Sequence, residues 1–185
     1  ALQRAGELDV VVLDKTGTVT QGRPAVTDLL SSDGVEEDEL LALAASLERA
    51  SEHPLGEAIV EEARRRAVEL HEVESFESHT GRGITGVAGG RALAVGNPRL
   101  MEEWGIDASE WIPRAEALAE RGRTPMYVAV EGHVVGLIAV ADPIREGSRA
   151  AIERMQRMGL DVVLLTGDNR RTAEAVAREA GIGRG

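Results

Sequence analysis

Residues 9–20, Asp9-Val10-Val11-Val12-Leu13-Asp14-Lys15-Thr16-Gly17-Thr18-Val19-Thr20, are a run of β-formers that stops on a carboxylate and continues in small and hydroxylated residues. Four consecutive apolar residues, three of them β-branched, predict a strand buried on both faces, the pattern of a parallel sheet under helices. Ligands of such sheets bind beyond the carboxyl ends of the strands, where Asp14 falls. A carboxylate there, next to the Lys15 ammonium and ahead of a Gly17 that lets backbone amides approach a phosphate, suits nucleophilic attack on phosphorus. An Asp-Lys pair alone is more often an ordinary turn; the flanking residues argue against that reading here.

The same pattern returns near the other end. A helix from Glu146 to Met158, capped by Gly159, leads to the apolar strand Val162-Val163-Leu164-Leu165, the loop Thr166-Gly167-Asp168-Asn169 and a helix ending at Gly181. If the two apolar strands are neighbours in one parallel sheet, Asp14 and Thr166 to Asp168 meet at the same edge.

Between them the period changes. Ala25 to Leu30 predicts a weak strand. A helix follows with Leu40, Leu43, Ala44 and Leu47 at i, i+3, i+4, i+7, and a second runs from Pro54 to about Leu70. On that second helix Glu61, Glu62, Arg64, Arg65 and Arg66 read as a solvated face. Strands are expected around Val73 to Glu77, Ile84 to Ala88 and Arg91 to Val95, with a tight turn at Gly89-Gly90. Asn97-Pro98 starts a short helix, Ser109 to Arg121 is an amphipathic one, and Thr124 to Val130 pairs with His133 to Val140 across Glu131-Gly132. Residues 25–141 thus read as an α+β antiparallel domain inserted into an α/β one. Its hinges are Gln21-Gly22-Arg23-Pro24 and Ala141-Asp142-Pro143-Ile144.

Composition bounds the function. With 43% hydrophobic residues in 185 the chain can bury a core, which must be aliphatic because there are only two Trp, one Tyr and one Phe. A net charge of −11 argues against a nucleic-acid surface and for a soluble, acidic cytoplasmic module. There is no cysteine, so disulfides and thiolate metal sites are excluded. No apolar run approaches the roughly 20 residues of a membrane-spanning helix. His71, His79 and His133 are scattered and read as surface residues, not as a metal site.

Asp14-Lys15-Thr16-Gly17-Thr18-Val19-Thr20 resembles the phosphorylation signature of the P-type ATPases, ion pumps that form an aspartyl-phosphate. The wider haloacid-dehalogenase-like superfamily is similar, but its phosphatases carry an acid/base Asp two residues after the nucleophile, where this chain has Thr16. Without that carboxylate a phosphoenzyme is expected to persist. Thr166-Gly167-Asp168 resembles the family's second phosphate motif, whose hydroxyl and amide donate to the transferring group. Ser51-Glu52-His53-Pro54-Leu55-Gly56 is similar to the His-Pro motif of the heavy-metal-transporting subgroup, and by that resemblance His53 contacts the adenine of ATP while Glu48 accepts from its amino group. Taken alone, a His-Pro pair is a helix start. Gly81-Arg82-Gly83 and Gly96-Asn97 resemble the subgroup's Gly-x-Gly and Gly-Asn elements, which set Gly81, Gly83 and Asn97 around the nucleotide. Asp142-Pro143 matches the family hinge, with Arg145 at its basic position.

The resemblance implies a haloacid-dehalogenase-like parallel-sheet phosphorylation domain, truncated, in segments 1–24 and 142–185, with the nucleotide-binding domain at 25–141. It implies ATP and Mg2+ as cofactors, the latter held by Asp14 and the Thr16 carbonyl. The catalytic set is Asp14, Lys15, Thr16, Thr166, Gly167 and Asp168, and the nucleotide set Glu48, His53, Gly81, Gly83 and Asn97. The expected partners are membrane, actuator and metal-binding domains of the same polypeptide, with no nucleic acid, in a monomeric piece on the cytoplasmic face of a membrane protein. The family's phosphate-binding Lys and its Gly-Asp-Gly-x-Asn-Asp motif are expected beyond Gly185, so the piece binds ATP with little turnover. The cargo resembles that of the copper(I) exporters. The alternatives are a zinc, cadmium or lead transporter of the same subgroup, a soluble haloacid-dehalogenase-like phosphatase, and a non-catalytic nucleotide-binding module.

Overall fold

In the computed structural model, which describes residues 9–167 and 170–183, the backbone separates into two compact units. The first comprises the chain up to Arg23, Glu120–Gly122, and the chain from Asp142 onward; the second is Pro24–Ala119 with Arg123–Ala141.

The first unit is built on two parallel strands, β1 (Val10–Asp14) and a partner near the other end of the chain, β8 (Asp161–Leu165), joined in the register Val10↔Asp161 to Asp14↔Leu165. Two strands make a sheet with only one covered face. Leu13 and Leu164 pack with Val19, Ile152, Val162, Ala180 and Ile182 under helices α5 (Ser148–Arg157) and α6 (Arg170–Ala180). Val10 (48%), Val12 (57%), Val163 (39%) and Leu165 (61%) stand exposed, so the expected strand buried on both faces is corrected to one buried on a single face in the described chain. Helix α5 begins at Ser148 and not at Glu146, because Gly147 takes a left-handed φ of 84° just ahead of it.

The second unit is a six-stranded antiparallel sheet in the order β2-β7-β6-β5-β4-β3, with β2 (Ala25–Ser31), β3 (Val73–His79), β4 (Gly83–Ala88), β5 (Arg91–Gly96), β6 (Thr124–Val130) and β7 (His133–Ala141). The β4–β5 and β6–β7 hairpin turns each have two consecutive left-handed residues, Gly89-Gly90 (57° and 72°) and Glu131-Gly132 (49° and 79°), the conformation whose twist matches the flanking strands. Helices α1 (Glu37–Glu48) and α2 (Pro54–Arg65) cover the face that carries Ile84, Leu93, Val95, Val128, Ile138 and Val140. Helices α3 (Pro98–Glu103) and α4 (Ile112–Glu120) lie on the face of Ala94, Tyr127, Ala129, Leu137 and Ala139.

Three local readings change. Helix α1 is buried on every side from Leu40 to Glu48, beyond the single stripe that its periodicity shows, because α2 covers what the sheet leaves open. Helix α2 stops at Arg65 and not near Leu70: Ala67 turns left-handed (φ 55°), its N–H bonds Arg64 O and that of Val68 bonds Ala63 O, a Schellman closure made without glycine. The α2 charges are more than a solvated face, since Glu62 pairs with Arg65 (2.7 Å) and Arg66 (2.8 Å), and Arg66 reaches Asp38 (3.1 Å) and Glu37 (3.3 Å) at the start of α1.

Candidate functional site

Asp14 is the last residue of β1, and its register partner Leu165 is the last of β8, so Asp14 and the segment Thr166-Gly167 leave the sheet at one edge. Directly after Asp14 the chain makes a type II turn: Thr16 sits at φ −77°, ψ 120° and Gly17 at φ 77°, ψ −3°. The second of these conformations needs a residue without Cβ, which explains Gly17 within the run. The turn leaves Asp14 and Thr16 exposed and Lys15 half-buried. Asp168, expected in the same loop, lies outside the described residues.

The turn is fixed from behind. Thr20, fully buried, donates its N–H to Lys15 O at 2.9 Å, and its hydroxyl oxygen lies 2.9 Å from the same carbonyl. That hydroxyl oxygen also lies 2.5 Å from Asp142 Oδ2, and Asp142 Oδ1 accepts from the N–H groups of Gly22 (2.9 Å) and Arg23 (3.1 Å). Gln21 N–H bonds Pro143 O, and Arg145 N–H bonds Val19 O, each at 2.9 Å, while the Arg145 guanidinium donates to Gly17 O at 2.8 Å. The two crossover segments therefore run side by side, and Asp142 and Arg145 hold the loop that carries Asp14.

The nucleotide set lies in the second unit at two places. At the α1–α2 connection, His53 caps α2: its Nδ1 accepts from Leu55 N–H at 3.2 Å, and its own N–H donates to Ser51 Oγ at 3.2 Å. An accepting Nδ1 puts the ring proton on Nε2, so the exposed imidazole presents a donor outward. Glu48, the last residue of α1, is 4% exposed. Burial pushes its carboxyl up to about 7, with a hydrogen bond to the Ser51 side chain acting the other way. Leu47 beside it lies over Gly86 of β4.

At the β3–β4 turn, Asn97 binds both ways: Nδ2 donates to Gly81 O at 2.9 Å, and Oδ1 accepts from Arg99 N–H (3.1 Å) and Leu100 N–H (3.3 Å) as the cap of α3. Gly83 has φ 146°, and a Cβ there would lie 2.2 Å from Val95 O. At Gly81 (φ 70°) nothing lies within 4 Å of such an atom, so only the backbone conformation asks for glycine. The glycines of this element thus have a structural reason independent of any ligand.

Two further features were not expected. His79 and His71 are half-buried and not surface residues; His79 Nε2 lies 2.8 Å from Thr85 Oγ1 and its ring stands edge-on to Trp104 at 5.8 Å. A recess of about 350 Å³ lies on the face of Ala94 and Ala129, lined also by Thr85, Val87, Trp104 and Ile106, and includes none of the expected nucleotide residues. Its lining is mostly apolar with few convergent polar groups, in contrast to the α1–α2 connection and the β3–β4 turn. Among the described residues no group of three or more His, Asp and Glu side chains is placed to hold a metal ion. The magnesium ligands expected from the sequence, the Asp14 carboxylate and the Thr16 carbonyl, would fit only an ion completed by water and phosphate oxygens.

A family model for haloacid dehalogenase-like hydrolases matches residues 8–184. Copper-transporting ATPase 2 of Rhizobium meliloti (strain 1021) is 48% identical over 182 residues, which cover 98% of this chain and 22% of that protein. The copper-exporting P-type ATPase of Bacillus subtilis (strain 168) is 46% identical over 181 residues, 98% of this chain and 23% of that one. Among solved structures, a zinc-transporting PIB-type ATPase in its E2.Pi state superimposes with a TM-score of 0.89 at 35% identity, over 98% of this chain and 29% of that one. The chain spans less than a quarter of the length of these two copper-transporting relatives (22% and 23%).

Proposed function

The chain belongs to the haloacid dehalogenase-like hydrolase family, and from that premise we propose that it is the ATP-binding part of a heavy-metal P-type ATPase, carrying the aspartate that accepts the phosphate. The observation that supports this most is the register Asp14↔Leu165, which brings the signature carboxylate and Thr166-Gly167 to one sheet edge. A carboxylate oxygen of Asp14 attacks the γ-phosphorus of ATP, the bond to the bridging oxygen breaks, and ADP leaves with that oxygen. Lys15 and the Thr166 hydroxyl and Gly167 amide neutralise and orient the phosphoryl group. Magnesium, when bound by Asp14 and the Thr16 carbonyl, neutralises phosphate charge. Thr16 supplies no second carboxylate to activate water, which favours a lasting aspartyl-phosphate over a phosphatase cycle.

In the second unit, His53, Glu48, Gly81, Gly83 and Asn97 hold the nucleotide. Copper(I) is the proposed cargo, because the two relatives named above are called copper transporters and are 48% and 46% identical. The zinc-transporting structure at 35% identity favours zinc as the second reading. The proposed location is the cytoplasmic face of a membrane; no helix among the described residues is long and apolar enough to cross one.

Amide chemical-shift mapping with MgATP tests the site. The expected shifts fall on Ser51 to Gly56, Gly81 to Gly83 and Asn97. Shifts confined to the recess at Trp104, or none, would overturn the assignment.

A further inference from the structure

Residues 25–141 carry 22 Asp and Glu against 10 Arg and no Lys, a net charge of −12 in a chain whose total is −11. A polyanion that approaches this unit meets a repulsive field, so its tail needs a cation supplied at the point of contact. Ser51 to Gly56, Gly81 to Gly83 and Gly96-Asn97, the stretches proposed to hold the nucleotide, contain one Lys or Arg between them, and it is Arg82. Arg49 follows Glu48 and Arg99 lies two residues past Asn97, both outside these stretches.

The backbone of Arg82 is anchored while its side chain stays open. Its N–H donates to His79 O at 2.9 Å, and its carbonyl accepts from Asn97 N–H at 2.8 Å. Asn97 Nδ2 holds the neighbouring Gly81 O. From this fixed turn the guanidinium reaches Glu103, the last residue of α3, and the two side chains are 40% and 45% exposed. So open an ion pair contributes little to stability, because water screens it and two long side chains must be held still. At Gly81 nothing lies within 4 Å of where a Cβ would stand, so the turn is open to solvent immediately before Arg82.

Resting on the nucleotide site proposed above, we infer that Arg82 binds the phosphate chain of ATP, leaving Glu103 for it when the nucleotide arrives. The guanidinium meets Glu103 through Nη1 and Oε2, and its planar fork can take two phosphate oxygens at once. The exchange does not strand the carboxylate. Arg99 stands four residues before Glu103 on α3, a spacing at which helical side chains meet and opposite charges attract. Glu103 thus competes with phosphate for one cation and sets how tightly the tail is held, whereas the base and ribose are held by other groups.

The test is titration of the 185-residue chain, followed by amide chemical shifts, with MgATP and with adenosine, which has the base and ribose but no phosphate. In Arg82→Gln the affinity for MgATP is expected to fall about tenfold, the loss of one charge-assisted contact, while adenosine binds as before. Glu103→Gln keeps Arg82 and removes its competitor, so it is expected to bind MgATP several-fold more tightly, again with adenosine unchanged. A pair that only braces the turn gives the opposite sign for Glu103: both variants then weaken MgATP and adenosine alike, and that result overturns the inference. Unchanged MgATP affinity in either variant overturns it as well. Binding of neither ligand by the parent chain overturns the nucleotide site itself.

Discussion

The Thr20 hydroxyl lies 2.5 Å from Asp142 Oδ2, a bond between residues 122 positions apart in sequence. Thr20 ends the loop that carries Asp14, and Asp142 opens the second crossover, so this one contact ties the candidate nucleophile's loop to the segment that returns from the second unit. The same carboxylate accepts from Gly22 and Arg23 N–H, and it satisfies three donors at once.

Asp142→Asn keeps the size of the side chain but replaces one acceptor oxygen by an amide donor. At least one of the three donors is then left facing a donor, at a cost of about 1 to 3 kcal/mol. Urea unfolding of the variant beside the parent chain checks this. A midpoint unchanged within error would show that the loop is held by other bonds, chiefly those of Arg145 to Gly17 O and Val19 O.

Asn97 has separable roles, because Nδ2 ties down Gly81 while Oδ1 caps α3. Asn97→Asp keeps an oxygen at the cap and puts a second one against the Gly81 carbonyl. It is expected to loosen the β3–β4 turn and weaken ATP binding several-fold, while the unfolding midpoint changes little. Gly83→Ala, by contrast, brings a methyl into the Val95 carbonyl and is expected to lose stability before any question of binding arises. Reduced binding with an unchanged midpoint in Asn97→Asp separates ligand contact from helix capping; a parallel loss of both would assign Asn97 to the cap alone.

Glu62 gives the α1–α2 pair an acid sensitivity. Hydrogen bonds from Arg65 do most to lower its carboxyl, to about 2 from an ordinary 4.5; desolvation opposes them, and the hydrogen bond from Arg66 and the Coulombic attraction of both arginines add smaller lowering effects. A carboxyl depressed in the folded state stabilises fully above its unfolded value, and the stabilisation is lost as pH falls from 4.5 towards 2. Thermal unfolding of the parent chain and of Glu62→Gln is therefore expected to differ at neutral pH and to converge in that acid window. A difference that persists at the acid end would mean that Glu62 acts by packing, not by charge.

The two apolar strands and the polar loop that follows each were legible because a parallel pair needs β-branched runs and a ligand edge needs residues that break them. The hairpins were legible for the same local reason, since Gly89-Gly90 and Glu131-Gly132 sit between alternating segments. Burial was harder to read. A run such as Val10-Val11-Val12-Leu13 signals an apolar strand but not how many strands stand beside it, and in the described chain alternate residues are exposed. Helix α1 shows one apolar stripe in sequence and is enclosed on all sides, because coverage by α2 is a tertiary fact. The end of α2 gave no warning, as Ala67 adopts a conformation usually left to glycine. Within the candidate site, motif residues could be placed at strand ends and caps. The Asp142 clamp joins segments remote in sequence, and the pair between Arg82 and Glu103 depends on how the β3–β4 turn meets α3; neither follows from spacing.

The measurement closest to the central claim is a calorimetric titration of the chain with MgATP, beside His53→Ala. His53 presents Nε2–H from an exposed ring whose Nδ1 accepts from Leu55 N–H, while its backbone N–H is bonded to Ser51 Oγ. If it stacks on and hydrogen-bonds the adenine, its removal costs about 1 to 3 kcal/mol of binding. Loss of affinity in that range, with the α2 helix still formed, is the predicted result. ATP bound equally well by both proteins would leave His53 as a helix cap alone and contradict the nucleotide site as drawn.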